Sequence, residues 1–126
     1  MQLNALLSLV RQAGTEIMDI YQRDFPVQIK ADNSPVTEAD MKAHTLLVDG
    51  LAKLTPEIPV LSEESSHAEK EQRHNWQAFW LIDPLDGTKE FINRNGDFTV
   101  NLALIDNGEP VLGIVYAPAI ETLYWG

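Results

Sequence analysis

Asp83 and Asp86 stand three residues apart in the run Trp80-Leu81-Ile82-Asp83-Pro84-Leu85-Asp86-Gly87-Thr88-Lys89-Glu90-Phe91. Pro84 fixes φ and lacks an N–H, so the pattern predicts a turn after Asp83 that can bring both carboxylates to one side. Two unit charges about 4 Å apart repel by roughly 4 kcal/mol at an effective dielectric near 20. A divalent cation removes that repulsion, and hard oxygen donors are what Mg²⁺ takes. Gly87 and Thr88 then offer backbone N–H groups where a helix can open, which suits a phosphate oxygen. Carboxylates for a metal beside amides for a phosphate read as metal-assisted phosphate chemistry. Turn chemistry alone offers a plainer reading, since Asp, Pro and Gly are ordinary turn residues. The apolar strand feeding the run favours the chemical one, because ligands of α/β proteins collect at the C-terminal ends of strands.

Two further segments carry chemistry. Thr37-Glu38-Ala39-Asp40 resembles a capping box opening a helix, with Asp in the place more often held by Glu. Ser62-Glu63-Glu64 follows the short strand pattern Pro59-Val60-Leu61. Each segment lies at the end of an element, where separate stretches of chain can converge on one site.

The elements that must position them follow from periodicity. Leu3, Leu6, Leu7, Val10, Ile17, Met18 and Tyr21 recur at helical spacing, with Ala13 and Gly14 permitting close approach. Val27-Gln28-Ile29-Lys30 alternates like a strand and enters the turn-rich Ala31-Asp32-Asn33-Ser34-Pro35. A second helix follows the capping box, with Ala43, Leu46, Leu47, Gly50, Leu51 and Leu54 as its buried face and Thr55-Pro56 as its stop. Residues 65–75 are polar and read as a solvated loop. Phe79 to Ile82 is a buried strand. Residues 99–105 and 111–116 flank Asn107-Gly108, a strong hairpin signal, and a last strand runs from Glu121 to Trp125. Two early helices with strands returning through hairpins imply an α+β fold, the helices packed on a largely antiparallel sheet.

Composition narrows the function. A chain of 126 residues fits one domain with a real core. Nineteen acidic against nine basic residues give a net charge of −10, which argues against a nucleic-acid polymer as partner. Bound Mg²⁺ reconciles this acidity with a phosphate substrate, since a metal ion can be the largest local charge in a site. Cysteine is absent, so disulfides and thiolate metal sites are excluded. The N-terminus lacks the pattern of a signal peptide, and no apolar run approaches the roughly 18 residues of a membrane span. A cytoplasmic protein is the expectation.

Taken together, Lys30-Ala31-Asp32-Asn33-Ser34-Pro35-Val36-Thr37-Glu38-Ala39-Asp40, Ser62-Glu63-Glu64 and Asp83 through Phe91 resemble the Mg²⁺-dependent, lithium-sensitive phosphatases that include inositol monophosphatase and fructose-1,6-bisphosphatase. The first and last stretches, with Lys89-Glu90 before Phe91, are most similar to the CysQ-type 3'(2'),5'-bisphosphate nucleotidase branch. The resemblance implies the first layer of an α/β/α/β/α sandwich. It implies that Glu63 binds a first Mg²⁺ and that Asp83 bridges two metals. The Leu85 carbonyl would then serve the first metal and the Asp86 carboxylate the second. Asp83, Gly87 and Thr88 would lie against the substrate phosphate, and Thr88 with Asp40 would orient and activate the attacking water. Threonine is a weak base alone, yet its hydroxyl can relay a proton to a carboxylate. The substrate implied is a small phosphate ester, 3'-phosphoadenosine 5'-phosphate. Peripheral attachment at the inner membrane face is a further expectation of the family, and the unfinished sheet of a half-sandwich could pair two copies as a homodimer. Relatives continue beyond this region into a layer carrying a Trp-Asp metal ligand. Residues 1–126 are therefore expected to form an N-terminal metal-binding α+β domain, truncated before that layer.

Rival readings remain at this stage. An inositol or sugar phosphatase would share the same site residues. Haloacid-dehalogenase-type phosphatases have a similar Asp-x-Asp-Gly-Thr motif, but their aspartates are two residues apart, whereas Asp83 and Asp86 are three apart. A non-catalytic metal-binding module is the third. Among the histidines, His44 reads as surface or packing, and His67 and His74 as solvated.

Overall fold

Helix α1, Leu3–Tyr21, forms where the apolar spacing predicts it and buries Leu6, Leu9, Val10, Ala13, Gly14, Ile17 and Ile20. Leu9 and Ile20 thus join the expected stripe, while Leu3, Leu7, Met18 and Tyr21 are only half-buried at its margins. The structure, a computed structural model, describes residues 3–23, 26–29, 35–62 and 76–126. Lys30 to Ser34 and the polar loop expected at 65–75 lie outside the described residues, as do Glu63 and Glu64. Strands β1, Val27–Ile29, and β2, Pro35–Thr37, pair as a small antiparallel ribbon that delivers the chain to α2, Glu38–Leu54. The capping box forms as the sequence predicts, with the Thr37 N–H donating to Asp40 Oδ2 at 2.8 Å.

The buried face of α2 comprises Ala39, Asp40, Ala43, Leu47 and Leu51. Leu54, expected on that face, is instead 40% exposed. The stripe continues at spacings of four through Leu47 and Leu51 to Thr55, which turns Leu54 outward. Thr55 Oγ1 donates to the Leu51 carbonyl at 3.0 Å and accepts from Trp80 Nε1 at 2.9 Å. The end of α2 is thus pinned to the sheet at Trp80.

Five strands form that sheet, in the order β3 (Val60–Ser62), β4 (Ala78–Asp86), β5 (Thr99–Asp106), β6 (Glu109–Ala117) and β7 (Thr122–Trp125). β3 runs parallel to β4, and the remaining pairs are antiparallel. Asn107 and Gly108 close the β5–β6 hairpin with φ of +52° and +80°, the left-handed pair that a two-residue turn of this hand requires. Trp80, Ile82, Val100, Leu102 and Ile114 point into the core shared with α1 and α2. Leu81, Asn101, Ala103 and Val115 lie on the opposite face, where an open groove of about 280 Å³ crosses β4, β5 and β6. No described helix is long and apolar enough to cross a membrane.

The short helix α3, Thr88–Ile92, is held by Phe91, whose ring packs on Tyr21 at 5.3 Å and Phe98 at 5.2 Å. Arg94 closes the C-terminal end of α1 by donating to the carbonyls of Tyr21 and Arg23. Arg23 in turn donates to Glu38 Oε2 at 2.9 Å, and this bond holds the Glu38 carboxyl below its usual range. The pair is exposed and contributes little energy. Its effect is geometric, linking the end of α1 to the start of α2.

The acidic run departs from the sequence expectation. β4 continues through Pro84 to Asp86, so no turn follows Asp83. Asp83 is opposite Asn101 and Asp86 opposite Thr99, so a three-residue step on β4 faces a two-residue step on β5. This is a β-bulge, the interior sheet setting in which a proline without an N–H is tolerated. Side chains alternate along a regular strand, which would send residues three apart to opposite faces. The extra residue reverses that parity. Pro84 and Leu85 are both buried, and Asp86 emerges exposed on the outer side with Asp83. The two acids do share a side, through a bulge rather than a turn.

Candidate active site

Asp40 is the most buried ionisable side chain of the described region, 1% exposed, and three short hydrogen bonds converge on it. Its Oδ2 accepts from the Thr37 N–H at 2.8 Å and from Thr37 Oγ1 at 2.7 Å. Its Oδ1 accepts from Thr88 Oγ1 at 2.8 Å, across 48 residues of sequence. One oxygen therefore caps a helix while the other faces the start of α3. Thr88 Oγ1 also lies 3.4 Å from the Leu85 carbonyl, but a hydroxyl has one proton and the shorter bond takes it. The Thr88 lone pairs are left to accept.

Gly87 makes this junction possible. Its φ is +91°, and a Cβ there would sit 2.8 Å from the Asp97 carbonyl oxygen and 3.3 Å from Phe98 Cα. Both obstacles are backbone. Gly87→Ala should cost about 1–3 kcal/mol through strain and overlap. Thermal unfolding should then show a midpoint at least about 4 °C lower. An unchanged midpoint would mean that the turn tolerates a side chain.

On the outer face Asp83 is half-buried and Asp86 exposed. Asn101, opposite Asp83, donates from Nδ2 to Asp86 Oδ2 at 3.1 Å. Asn101 Oδ1 is buried with no hydrogen-bond partner. The sequence reading passed over Asn101. Its signal was a lone amide at an outward position between the apolar Val100 and Leu102.

His44, read as surface or packing, is part-buried and packs against the end of β3. It lies one helical turn beyond Asp40, and its Nδ1 is 2.9 Å from the hydroxyl of Ser62, itself 1% exposed. His44 thereby ties α2 to the end of β3, where the chain enters Glu63. Glu63, expected as a metal ligand, lies outside the described residues, as do Asp32, His67 and His74. Among the described residues no three His, Asp or Glu side chains form a metal-holding cluster. Two carboxylates, a backbone carbonyl at Leu85 and an orphaned amide oxygen are nonetheless the hard oxygen donors that suit Mg²⁺.

Helices on one face of a mixed sheet, with polar groups gathered where β4 passes into α3, define an inositol-monophosphatase-fold domain. The chain belongs to the inositol monophosphatase family, whose sequence profile matches residues 2–126. Within that family it is 57% identical over 124 residues to the 3'(2'),5'-bisphosphate nucleotidase CysQ of Escherichia coli O6:H1, a match covering 97% of this chain and 50% of that protein. The crystal structure of CysQ from Bacteroides thetaiotaomicron superposes with a TM-score of 0.80 at 44% identity, covering all of this chain and 46% of that one. An IMPase/NADP phosphatase solved in complex with Mg²⁺ and phosphate matches with a TM-score of 0.82 at 26% identity, over 96% of this chain and 45% of that one. The chain spans about half the length of the curated relatives it matches.

Proposed function

We propose that this chain is the metal-binding α+β portion of a Mg²⁺-dependent phosphomonoesterase that hydrolyses 3'-phosphoadenosine 5'-phosphate to AMP and phosphate. The observation that carries the reading is the 2.8 Å bond from Thr88 to Asp40, at the junction into which the Asp83–Asp86 segment leads. Glu63, Asp83, the Leu85 carbonyl and Asp86 are the residues that would hold Mg²⁺. When bound, the metal supplies a more acidic water and neutralises charge on the transferring phosphoryl group. Thr88 already gives its proton to Asp40 Oδ1, so its oxygen is oriented to take one from the attacking water. As that proton arrives, the threonine proton moves onto Asp40. The water oxygen bonds to phosphorus, and the bond from phosphorus to the nucleoside oxygen breaks with its electron pair on that oxygen, which takes a proton from solvent to give the AMP hydroxyl. The opening N–H groups of α3 at Gly87 and Thr88 have no acceptor within the helix, and they would face the phosphate.

The nucleotide assignment is supported by identity to the named bisphosphate nucleotidases and by Lys89-Glu90. The same support carries lithium sensitivity, since a related staphylococcal inositol monophosphatase was solved as a LiCl-soaked inhibitory complex. The test compares 3'-phosphoadenosine 5'-phosphate with inositol 1-phosphate, with the rest of the relatives' length in place. We expect kcat/KM to favour the nucleotide by about 10²-fold or more. Equal or reversed preference would overturn the nucleotide assignment while leaving the metal chemistry standing.

A further inference from the structure

We propose that Asn101 is a positioning residue of the metal site, orienting Asp86 and offering its own amide oxygen to the hydrated cation. The inference rests on the reading of Asp83 and Asp86 as metal ligands, and three observations carry it. The β4 bulge places Asp83, Asp86 and Asn101 on one face of the sheet, with Asn101 directly across from Asp83. Asn101 Nδ2 donates to Asp86 Oδ2 at 3.1 Å. Asn101 Oδ1 is buried and has no hydrogen-bond partner.

The orientation of the amide is not arbitrary. A carboxylate only accepts, so the nitrogen must face Asp86 and the oxygen must face the other way. A buried amide oxygen without a donor is unfavourable, and native interiors avoid it. A bound Mg²⁺ keeps several of its waters, whose O–H groups are the donors this oxygen lacks. The same residue therefore fixes one ligand and receives the hydration shell beside it. Asp106 Oδ1 is also buried and unpartnered, but it sits at the far hairpin end of β5, away from the acids.

Calorimetric Mg²⁺ titration of the full chain tests this, with Asn101→Leu, Asn101→Ala and Asp83→Asn run in parallel. Leucine has nearly the same size as asparagine and removes the unpartnered oxygen. Asn101→Leu should keep or raise the thermal midpoint measured without metal. Its Mg²⁺ affinity should fall about 10–100-fold, the usual effect of losing a group that orients a ligand. Asn101→Ala should show the same loss of affinity whatever its stability. A purely structural role predicts the opposite pattern, a lower metal-free midpoint with unchanged Mg²⁺ affinity, and that result would overturn the proposal. If Asp83→Asn abolishes binding while both Asn101 variants bind within about twofold of the parent, the inference fails and the metal site survives. If Asp83→Asn binds like the parent, or the parent itself does not bind, the underlying reading fails and the inference with it. As a second readout, the Asn101 side-chain amide resonance should shift on adding Mg²⁺; a resonance that stays fixed at saturation would contradict a role beside the cation.

Discussion

Asp83→Asn is expected to lower Mg²⁺-dependent phosphate release by about 10³-fold or more, because several kcal/mol of transition-state charge stabilisation depend on the metals it would bridge. The substitution is nearly isosteric and lies on the outer face of β4 rather than in the core. The register of β4 on β5 is made by backbone pairing and by the bulge at Pro84, so the fold should persist. What changes is charge. An amide is a poorer ligand than a carboxylate, and the loss would reach both cations if Asp83 serves them as the resemblance implies. The measurement is phosphate release from 3'-phosphoadenosine 5'-phosphate at rising Mg²⁺, with the rest of the relatives' length in place. Activity within a few fold of the parent at saturating Mg²⁺ would remove Asp83 from the metal site.

Thr88→Ala should lower kcat by about 10²–10⁴-fold, the range for a lost general base. Mg²⁺ affinity should change little, since Thr88 is not placed among the principal ligands. Asp40→Asn should give a similar loss for a different geometric reason. Asp40 uses one oxygen for the cap at Thr37 and the other for Thr88. Asparagine has a single acceptor oxygen, so only one of the two partners still finds an acceptor, and the other position becomes the donating Nδ2. An amide oxygen accepts a hydrogen bond but not a proton, so the relay is lost in either orientation, and turning Nδ2 toward Thr37 also forfeits a cap typically worth about 1 kcal/mol. A stable, inactive Asp40→Asn would therefore mean that the cap won. The double variant should be scarcely worse than either single one, because residues acting as a unit are strongly non-additive. Fully multiplicative losses would show that the two do not share a proton path.

Features decided within a few residues were legible in the sequence. The stripe of α1, the Thr37–Asp40 capping box and the Asn107-Gly108 turn each depend on neighbours along the chain. Features decided across the fold were not. Pro84 reads as a turn in isolation, but β5 supplies a partner strand and the mismatch is absorbed as a bulge. Leu54 reads as core until Trp80 takes Thr55 as its acceptor from 25 residues away. His44 reads as surface or packing, but nothing nearby in the chain announces Ser62 as its partner. At the site, residue types suggested a metal and a phosphate, and family resemblance supplied the roles of Asp40 and Thr88. Their contact depends on the aromatic packing of Phe91 on Tyr21 and Phe98, which spacing alone does not reveal. Asn101 was missed for the same reason, since its partner lies on another strand and its orientation depends on the bulge.

We propose that Mg²⁺ held at Asp83 and Asp86 promotes attack of water on a nucleotide phosphate. Metal add-back tests it most directly. With the rest of the relatives' length in place, phosphate release from 3'-phosphoadenosine 5'-phosphate is measured first with the metal stripped by chelation, then at increasing Mg²⁺. The account predicts no release above background without metal and a saturable return of turnover as Mg²⁺ is restored. Turnover that persists undiminished in the chelator would contradict it.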